Sequence, residues 1–173
     1  MSGAGPGSNS PNMRKDIEHG RKHERNALKA ASEELQMKIR PKQRYKDSNN
    51  KIVIPDGVTE DGSPVEVKCP RPRDGESSLS DMAEKRKNFY FNSDGDVNKK
   101  NPAYDQVQKQ IDATGADEGY LVVYYNDDEG TEETKVVPVL RDQDRINQLL
   151  EREKDKDDLV SQFSSLNVAD KKY

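Results

Sequence analysis

The sequence predicts an α/β (α+β) domain in which a small mixed sheet is flanked by helices. Three observations carry this. Segments with apolar residues at helical spacing alternate with short runs of β-branched and aromatic residues. The order reads helix, hairpin, helix, strand, strand, helix, which suits a layered sheet-and-helix architecture. The most apolar stretch, "YLVVYY" at 120–125, has the length of a strand and is expected to be central.

Each element has its own signal. Residues 1–12 are a Gly/Ser/Pro/Asn tail with nothing to bury and are expected to be disordered. Ile17, Ala27, Leu28, Ala31, Leu35 and Ile39 recur near helical spacing, predicting a helix over 14–39 that Pro41 ends. "KIVIPDG" reads as a short strand, Asp61-Gly62 as a two-residue hairpin turn, and "PVEVK" as the returning strand. Residues 70–78 are loop, "SLSDMAEKRKNF" a short helix, and "NSDGDVNKKNP" a loop or hairpin. "AYDQVQKQIDATG" is a helix with Tyr104, Val107 and Ile111 on one stripe and Gly115 as its stop. "KVVPV" pairs back on the central strand as an edge, because Pro138 has no donor for an interior ladder. Asp142 caps a final helix carrying Ile146, Leu149 and Leu150. The expected domain is therefore 13–153, with 154–173 a charged, disordered tail.

Composition narrows the class. Only 30% of the 173 residues are hydrophobic against 36% charged, so the core must be small. A single cysteine, Cys69, cannot form an internal disulfide, which argues for an intracellular, reducing setting (cytoplasm or nucleus of a host). The N-terminal residues lack the apolar stretch of a signal peptide, and no apolar run approaches the roughly 20 residues that span a bilayer, so no membrane role is expected. The net charge of -4 hides an asymmetry: Arg14–Lys46 holds 11 Lys and Arg against 5 acids, whereas Asp117–Glu133 holds 7 acids and no Lys or Arg. A basic region beside an acidic one permits nucleic-acid binding on one face; solvated helix faces explain the charge equally well.

The chemistry concentrates in "PDGVTEDGSPVEVKCP" at 55–70. Side chains alternate along a strand, so Val65 and Val67 point to one face and Glu66 and Lys68 to the other. A hairpin turning at Asp61-Gly62 lays Asp56 beside residues 66–68. Asp56, Glu66 and Lys68 can then converge. Hard oxygen donors in this number suit Mg²⁺ or Mn²⁺ rather than zinc. Such a site serves phosphodiester hydrolysis, in which a lysine beside the metal orients or deprotonates the attacking water or balances developing charge. The bland alternative is a surface hairpin with an ordinary cross-strand Glu–Lys pair.

This stretch resembles the PD-(D/E)XK nuclease motif: Pro55-Asp56, nine residues, then Glu66-Val67-Lys68. With Cys69-Pro70 following, it is similar to the YqaJ-type viral recombinase family, which includes the lambda-type phage exonuclease. Three further blocks agree in order. "HGRKHERNA" carries Gly20, Glu24 and Ala27 at the family's spacing. "RYKDSNNKIVIPDG" leads into the motif, and "NPAYDQVQKQIDATGADEGYLVVY" resembles the family's Tyr-x-Gln-Val-Gln helix and following strand. The likeness spans roughly residues 12–152. It implies a restriction-endonuclease-like core and a metal-dependent DNA nuclease, an exonuclease on linear duplex DNA used in recombination or in viral or mobile-element DNA processing. It implies that Asp56, Glu66 and the carbonyl of Val67 hold one or two Mg²⁺ or Mn²⁺ ions and that Lys68 acts on water. It also implies that Glu24 is an additional acid at the metal and that Gln106 faces the site with Tyr104 near it. Phosphate contacts are expected from Arg21, Lys22, Arg25, Arg71 and Arg73. DNA is the expected partner; the resemblance also leaves room for a single-strand annealing protein and for an oligomer.

Two stretches depart from the family pattern. Only 19 residues precede Gly20, where relatives carry an arginine and small hydroxyl residues that receive a 5′-phosphate; Arg14 and Ser10 are the residues available here. In "RPRDGESS", Arg73 stands one residue earlier than the family's arginine. The competing readings are a catalytically dormant DNA- or partner-binding module and an endonuclease using the same site. His19 and His23, four apart on a helix, form a metal pair geometrically but read more simply as exposed. "DGDVN" at 94–98 lacks the glutamate of a calcium loop. Cys69 reads as a packing residue, with no His near it in sequence.

Overall fold

In the computed structural model, which describes residues 10–170, a five-stranded mixed sheet lies between helical layers. The first helix, α1, spans Pro11–Leu35. Short strands β1 (Ile39–Pro41), β2 (Tyr45–Lys46), β3 (Ile52–Val53) and β4 (Gly57–Thr59) lead to β5 (Pro64–Lys68). Helices α2 (Leu79–Lys85) and α3 (Pro102–Thr114) follow, then the long strands β6 (Glu118–Asn126) and β7 (Glu132–Leu140), then α4 (Gln143–Asp170). The sheet order is β1-β4-β5-β6-β7. Only β5 and β6 are parallel, joined by the crossover through α2 and α3; the other pairs are antiparallel. This is the expected α+β class. Among the described residues, no helix is long and apolar enough to cross a membrane.

The sheet is covered on both faces, which explains why 120–125 reads as a continuous apolar run rather than an alternation. Tyr120, Val122 and Tyr124 face α1 with Val65 and Val67, against Ala27 and Ala31. Leu121, Val123 and Tyr125 face the other way, against Val107 and Ile111 of α3, Leu79 and Met82 of α2 and Ile146 of α4. The small residues on α1 let it lie close to the sheet. Gly57 is required for the same reason, since a Cβ there would meet Ile39 Cγ2 at 2.5 Å and Leu28 Cδ2 at 3.2 Å. β7 is the edge and carries Pro138, as its missing donor demands. Asn101 caps α3 and Gly115 closes it with φ 74°. Asp142 caps α4 by accepting from Arg145 N–H at 3.1 Å.

Four expectations are corrected. The first helix begins at Pro11, capped by Ser10, and ends four residues early because Gln36 adopts a left-handed cap (φ 55°), which leaves Ile39 to pair in β1. "KIVI" is not the hairpin's first arm: Ile52–Val53 pairs with β2 in a separate two-stranded sheet, and β4 is the arm opposite β5. The turn between β4 and β5 has three loop residues rather than two. Gly57 pairs with Val65 and Val58 with Pro64, Thr59 N–H donates to Ser63 O, and Gly62 takes the left-handed position at φ 92°. Finally, the charged segment after Lys154 continues α4 through Asp170. Asn49 donates to Leu150 O and Glu153, and Lys51 pairs with Asp157 at 2.7 Å, so the β2–β3 hairpin holds this helix past the expected boundary. Most of the N-terminal tail, residues 1–9, lies outside the described residues.

Candidate active site

The site forms where the sheet's two covering layers meet at the C-terminal end of β5. Asp56 immediately precedes β4, and its Oδ2 accepts the N–H of Val67 at 2.8 Å. That bond pins the acid against β5 and places it beside Glu66. Glu66 is almost fully buried on the face covered by α3, not on an open face. Its Oε1 accepts from Gln110 Nε2 at 2.8 Å and its Oε2 lies 3.2 Å from Lys68 Nζ. Glu24 reaches in from α1, on the other side of the sheet, and pairs with the exposed Lys42 at 3.6 Å.

Asp56 stands between the other two carboxylates, with Glu66 on one side and Glu24 on the other. Burial pushes the Asp56 carboxyl above its ordinary range, and the neighbouring charge of Glu66 pushes it the same way. Glu24 is raised first by burial and then by the charge of Asp56 and a hydrogen bond with it. The Cys69 thiol is pushed up to about 12 by burial and by the charges of Glu24 and Asp56, so it stays protonated and packs rather than attacks. Like charges this close hold protons unless a cation joins them. An all-oxygen carboxylate set with that repulsion fits a hard divalent ion.

A cleft of about 580 Å³ opens beside Lys68. Val67, Lys68, Arg71, Arg73, Arg86, Tyr90 and Gly20 line it, with Asn12 and Asp16 from the start of α1. Gly20 leaves open space, since a Cβ there would meet nothing within 4 Å. Arg71 and Arg73 therefore share one cleft with Lys68. Arg71 is held by exposed Asp16 at 2.9 Å. The loop 70–78 is fixed by a buried pair absent from the sequence reading. Arg86 donates from Nε to Glu76 Oε2 at 2.8 Å and from Nη2 to Oε1 at 2.6 Å, and a further Nη2 bond reaches Arg71 O at 2.7 Å.

The remaining expected residues scatter. Gln106 is exposed; the glutamine bonded to Glu66 is Gln110, one turn later on α3. Tyr104 is buried away from the cluster, donating to Asp142 at 2.6 Å. Arg21 and Arg25 are exposed on α1, whereas Lys22 is bound to Asp128 at 2.9 Å. Ser10 is occupied as the α1 cap. His19 and His23 are buried, not exposed, because they continue the stripe of Ala27 and Ala31. The four-residue spacing 19-23-27-31 was the signal available for this. Residues 94–98 form a tight turn with Phe91 bridged to Val97.

No protein-family model matches the chain, and no curated protein matches it in sequence. Solved structures do resemble it. A phage-related exonuclease from Haemophilus somnus 129PT aligns with a TM-score of 0.62 and 15% identity, over 86% of this chain and 74% of that one. An alkaline exonuclease from Laribacter hongkongensis aligns with a TM-score of 0.55 and 15% identity, over 87% and 74%. The same enzyme in complex with dAMP aligns at 0.55 and 18%, over 92% and 77%. The fold is thus one found in exonucleases, as the sequence resemblance implied.

Proposed function

We propose that this protein is a metal-dependent deoxyribonuclease that hydrolyses phosphodiester bonds, acting as an exonuclease on linear duplex DNA. The reading is supported by the succession of neighbours Glu24, Asp56, Glu66 and Lys68, whose lysine lines a cleft together with Arg71 and Arg73. The fold shared with an alkaline exonuclease and a phage-related exonuclease supports it.

Asp56, Glu66 and the Val67 carbonyl would hold Mg²⁺ or Mn²⁺, with Glu24 beside them. The ion, when bound, supplies charge stabilisation at the scissile phosphate and a more acidic water. The chain's own residues do the rest. Lys68, held 3.2 Å from Glu66, orients the attacking water and balances charge developing on the phosphate. Gln110 holds the Glu66 carboxylate in one orientation from the second layer. Arg71 and Arg73 bind the backbone of the strand entering the cleft. A second copy of the chain or a single-strand annealing protein would act outside this site.

The test is digestion of linear duplex DNA with Mg²⁺, with and without a 5′-phosphate, beside a closed circle. Loss of the linear substrate alone is the expected result. Asp56→Asn and Lys68→Ala should each remove at least about a hundredfold of the rate, roughly 3 kcal/mol, while the far-UV spectrum stays unchanged. Full cleavage in either variant would put the chemistry elsewhere. Tight DNA binding without cleavage by the unaltered chain would instead make it a dormant binding module.

A further inference from the structure

We propose that His19, His23 and Asp128 form a second metal site, for a transition ion of the Zn²⁺ class, which ties α1 to the turn between β6 and β7. The two histidines lie four residues apart, so one face of α1 presents both rings to the same point. Their ring centroids are 4.5 Å apart. His23 Nε2 lies 2.9 Å from Asp128 Oδ1, and His19 Nδ1 lies 3.8 Å from Asp128 Oδ2. One donor atom from each of the three residues falls within 4.8 Å of the others. An ion at about 2.0–2.2 Å from each donor needs them roughly 3.4 Å apart, a spacing these distances bracket. Two imidazoles and a carboxylate suit Zn²⁺ and its neighbours rather than Mg²⁺.

Packing alone does not account for the residues. The buried stripe of α1 continues in Ala27 and Ala31, which fill it without a polar atom. Here the fold instead buries two imidazoles and turns one nitrogen of each, His19 Nδ1 and His23 Nε2, toward Asp128. The third group is aimed at them by an unusual backbone: Asp128 takes a positive φ of 62°, which an aspartate tolerates better than most residues. Asp128 remains half-exposed, leaving room for a water as fourth ligand. The site is distinct from the carboxylate cluster. His23 and Glu24 are neighbours on a helix, so they point about 100° apart, one toward Asp128 and the other toward Asp56. Lys22 completes the picture as a competitor. Its ammonium occupies Asp128 at 2.9 Å but is largely exposed, so it can swing away when a cation arrives.

The experiment uses the full chain stripped with a chelator, then held in excess Mg²⁺ so that the carboxylates are occupied, and titrated with Zn²⁺ by calorimetry. One saturable ion per chain and a higher melting temperature are expected. Asp128→Asn should weaken binding by at least about tenfold, since losing a direct ligand costs no less than losing a supporting one. Lys22→Ala should tighten it, and Glu66→Gln should leave it unchanged. Co²⁺ added to the unaltered chain gives a readout that needs no variant: intense visible bands of a four-coordinate site. No saturable Zn²⁺ binding, weak octahedral Co²⁺ bands alone, or an isotherm unchanged by Asp128→Asn would each overturn the site. The cluster would then be a Lys22–Asp128–His23 ion-pair tie.

Discussion

Gln106 and Gln110 stand one turn apart on α3, and only the second meets a carboxylate. Gln110→Ala leaves the buried Glu66 carboxylate one donor short, a loss of about 1.5–3 kcal/mol for a hydrogen bond to a charged group. Stability should fall by that amount in urea unfolding, and the nuclease rate by about tenfold or more. Gln106→Ala, at an exposed position, should stay within about 0.5 kcal/mol of the unaltered protein. Equal effects from the two would mean that Gln110 does not position Glu66. Glu24 makes a prediction through pH. Its carboxyl and that of Asp56 are raised above their ordinary values of 4.5 and 3.8. A raised acid binds protons more readily in the folded state, so its contribution to stability declines as pH rises from the ordinary value through the raised one. Lowered carboxyls such as Asp47, Glu76 and Asp128 act in the opposite sense, but below their ordinary values of 3.8 for the aspartates and 4.5 for Glu76. His19, lowered first by burial, also opposes the pair, as pH falls through its ordinary 6.5. The clean measurement is therefore a difference. Without metal, Glu24→Gln should melt higher than the unaltered chain at neutral pH, and the gap should close on acidification toward 4. Added Mg²⁺ should raise the melting temperature of the variant less. A constant gap across that range would make Glu24 an ordinary partner of Lys42.

At the scale of elements, the loop from 70 to 78 is as important as the hairpin, because it carries Arg71 and Arg73 into the cleft. It has little apolar anchorage of its own. The Glu76–Arg86 pair holds it, with the Glu76 side chain only 3% exposed and the arginine 15%. Arg86 holds the Glu76 carboxyl below its ordinary range. Breaking a buried pair strands a charge, so Glu76→Ala should cost about 3–5 kcal/mol in denaturant unfolding. It should also weaken DNA binding without touching the carboxylates. A loss under about 1 kcal/mol would show the pair to be solvated. Nothing in "RPRDGESS" announced it: ten residues and a helix separate the partners. The same limit governs the rest of the comparison. The convergence of Asp56, Glu66 and Lys68 was readable because a hairpin fixes register locally, and it survived both the wrong first arm and the wrong loop length. Glu24 entered through family likeness, not spacing. Gln110 was missed because a helix shows which residues share a side, not which of them the sheet covers. The burial of the histidines was misjudged because apolar periodicity gives them no weight, although they occupy the buried stripe.

Across the whole molecule the net charge of -4 would repel DNA if it were spread evenly. It is not spread evenly, and many acids accept a hydrogen bond or an ion pair. Asp128 is bound by Lys22 and His23, Glu133 accepts Leu79 N–H, Glu132 accepts from Tyr124, and Glu118 accepts from Tyr120. The acidic stretch from Asp117 to Glu133 thus makes contacts within the fold, while five of its seven acids, Asp117, Asp128, Glu129, Glu132 and Glu133, stay exposed. The cations divide in the same way. Lys22 belongs to Asp128, Arg86 to Glu76 and Lys42 to Glu24. Of the five expected phosphate contacts, Arg21, Arg25 and Arg73 remain, together with Arg71, whose partner Asp16 is exposed. An exposed pair contributes about 0–1 kcal/mol, so a phosphate can displace Asp16. Each neutralised phosphate adds about -0.9 to the slope of log affinity against log salt, so contacts from these four residues give a slope of about -3 to -4. Duplex DNA binding measured with Ca²⁺ in place of Mg²⁺, to hold the substrate intact, should show that slope. Arg71→Ala with Arg73→Ala should make it shallower by about 2. Lys22→Ala should change it less, because Lys22 lies outside the cleft that Arg71 and Arg73 line. A slope that responds to Lys22 and ignores both cleft arginines would move the DNA from the mouth of the site to the outer face of α1. The carboxylates would then lie too far from the phosphate to act on it.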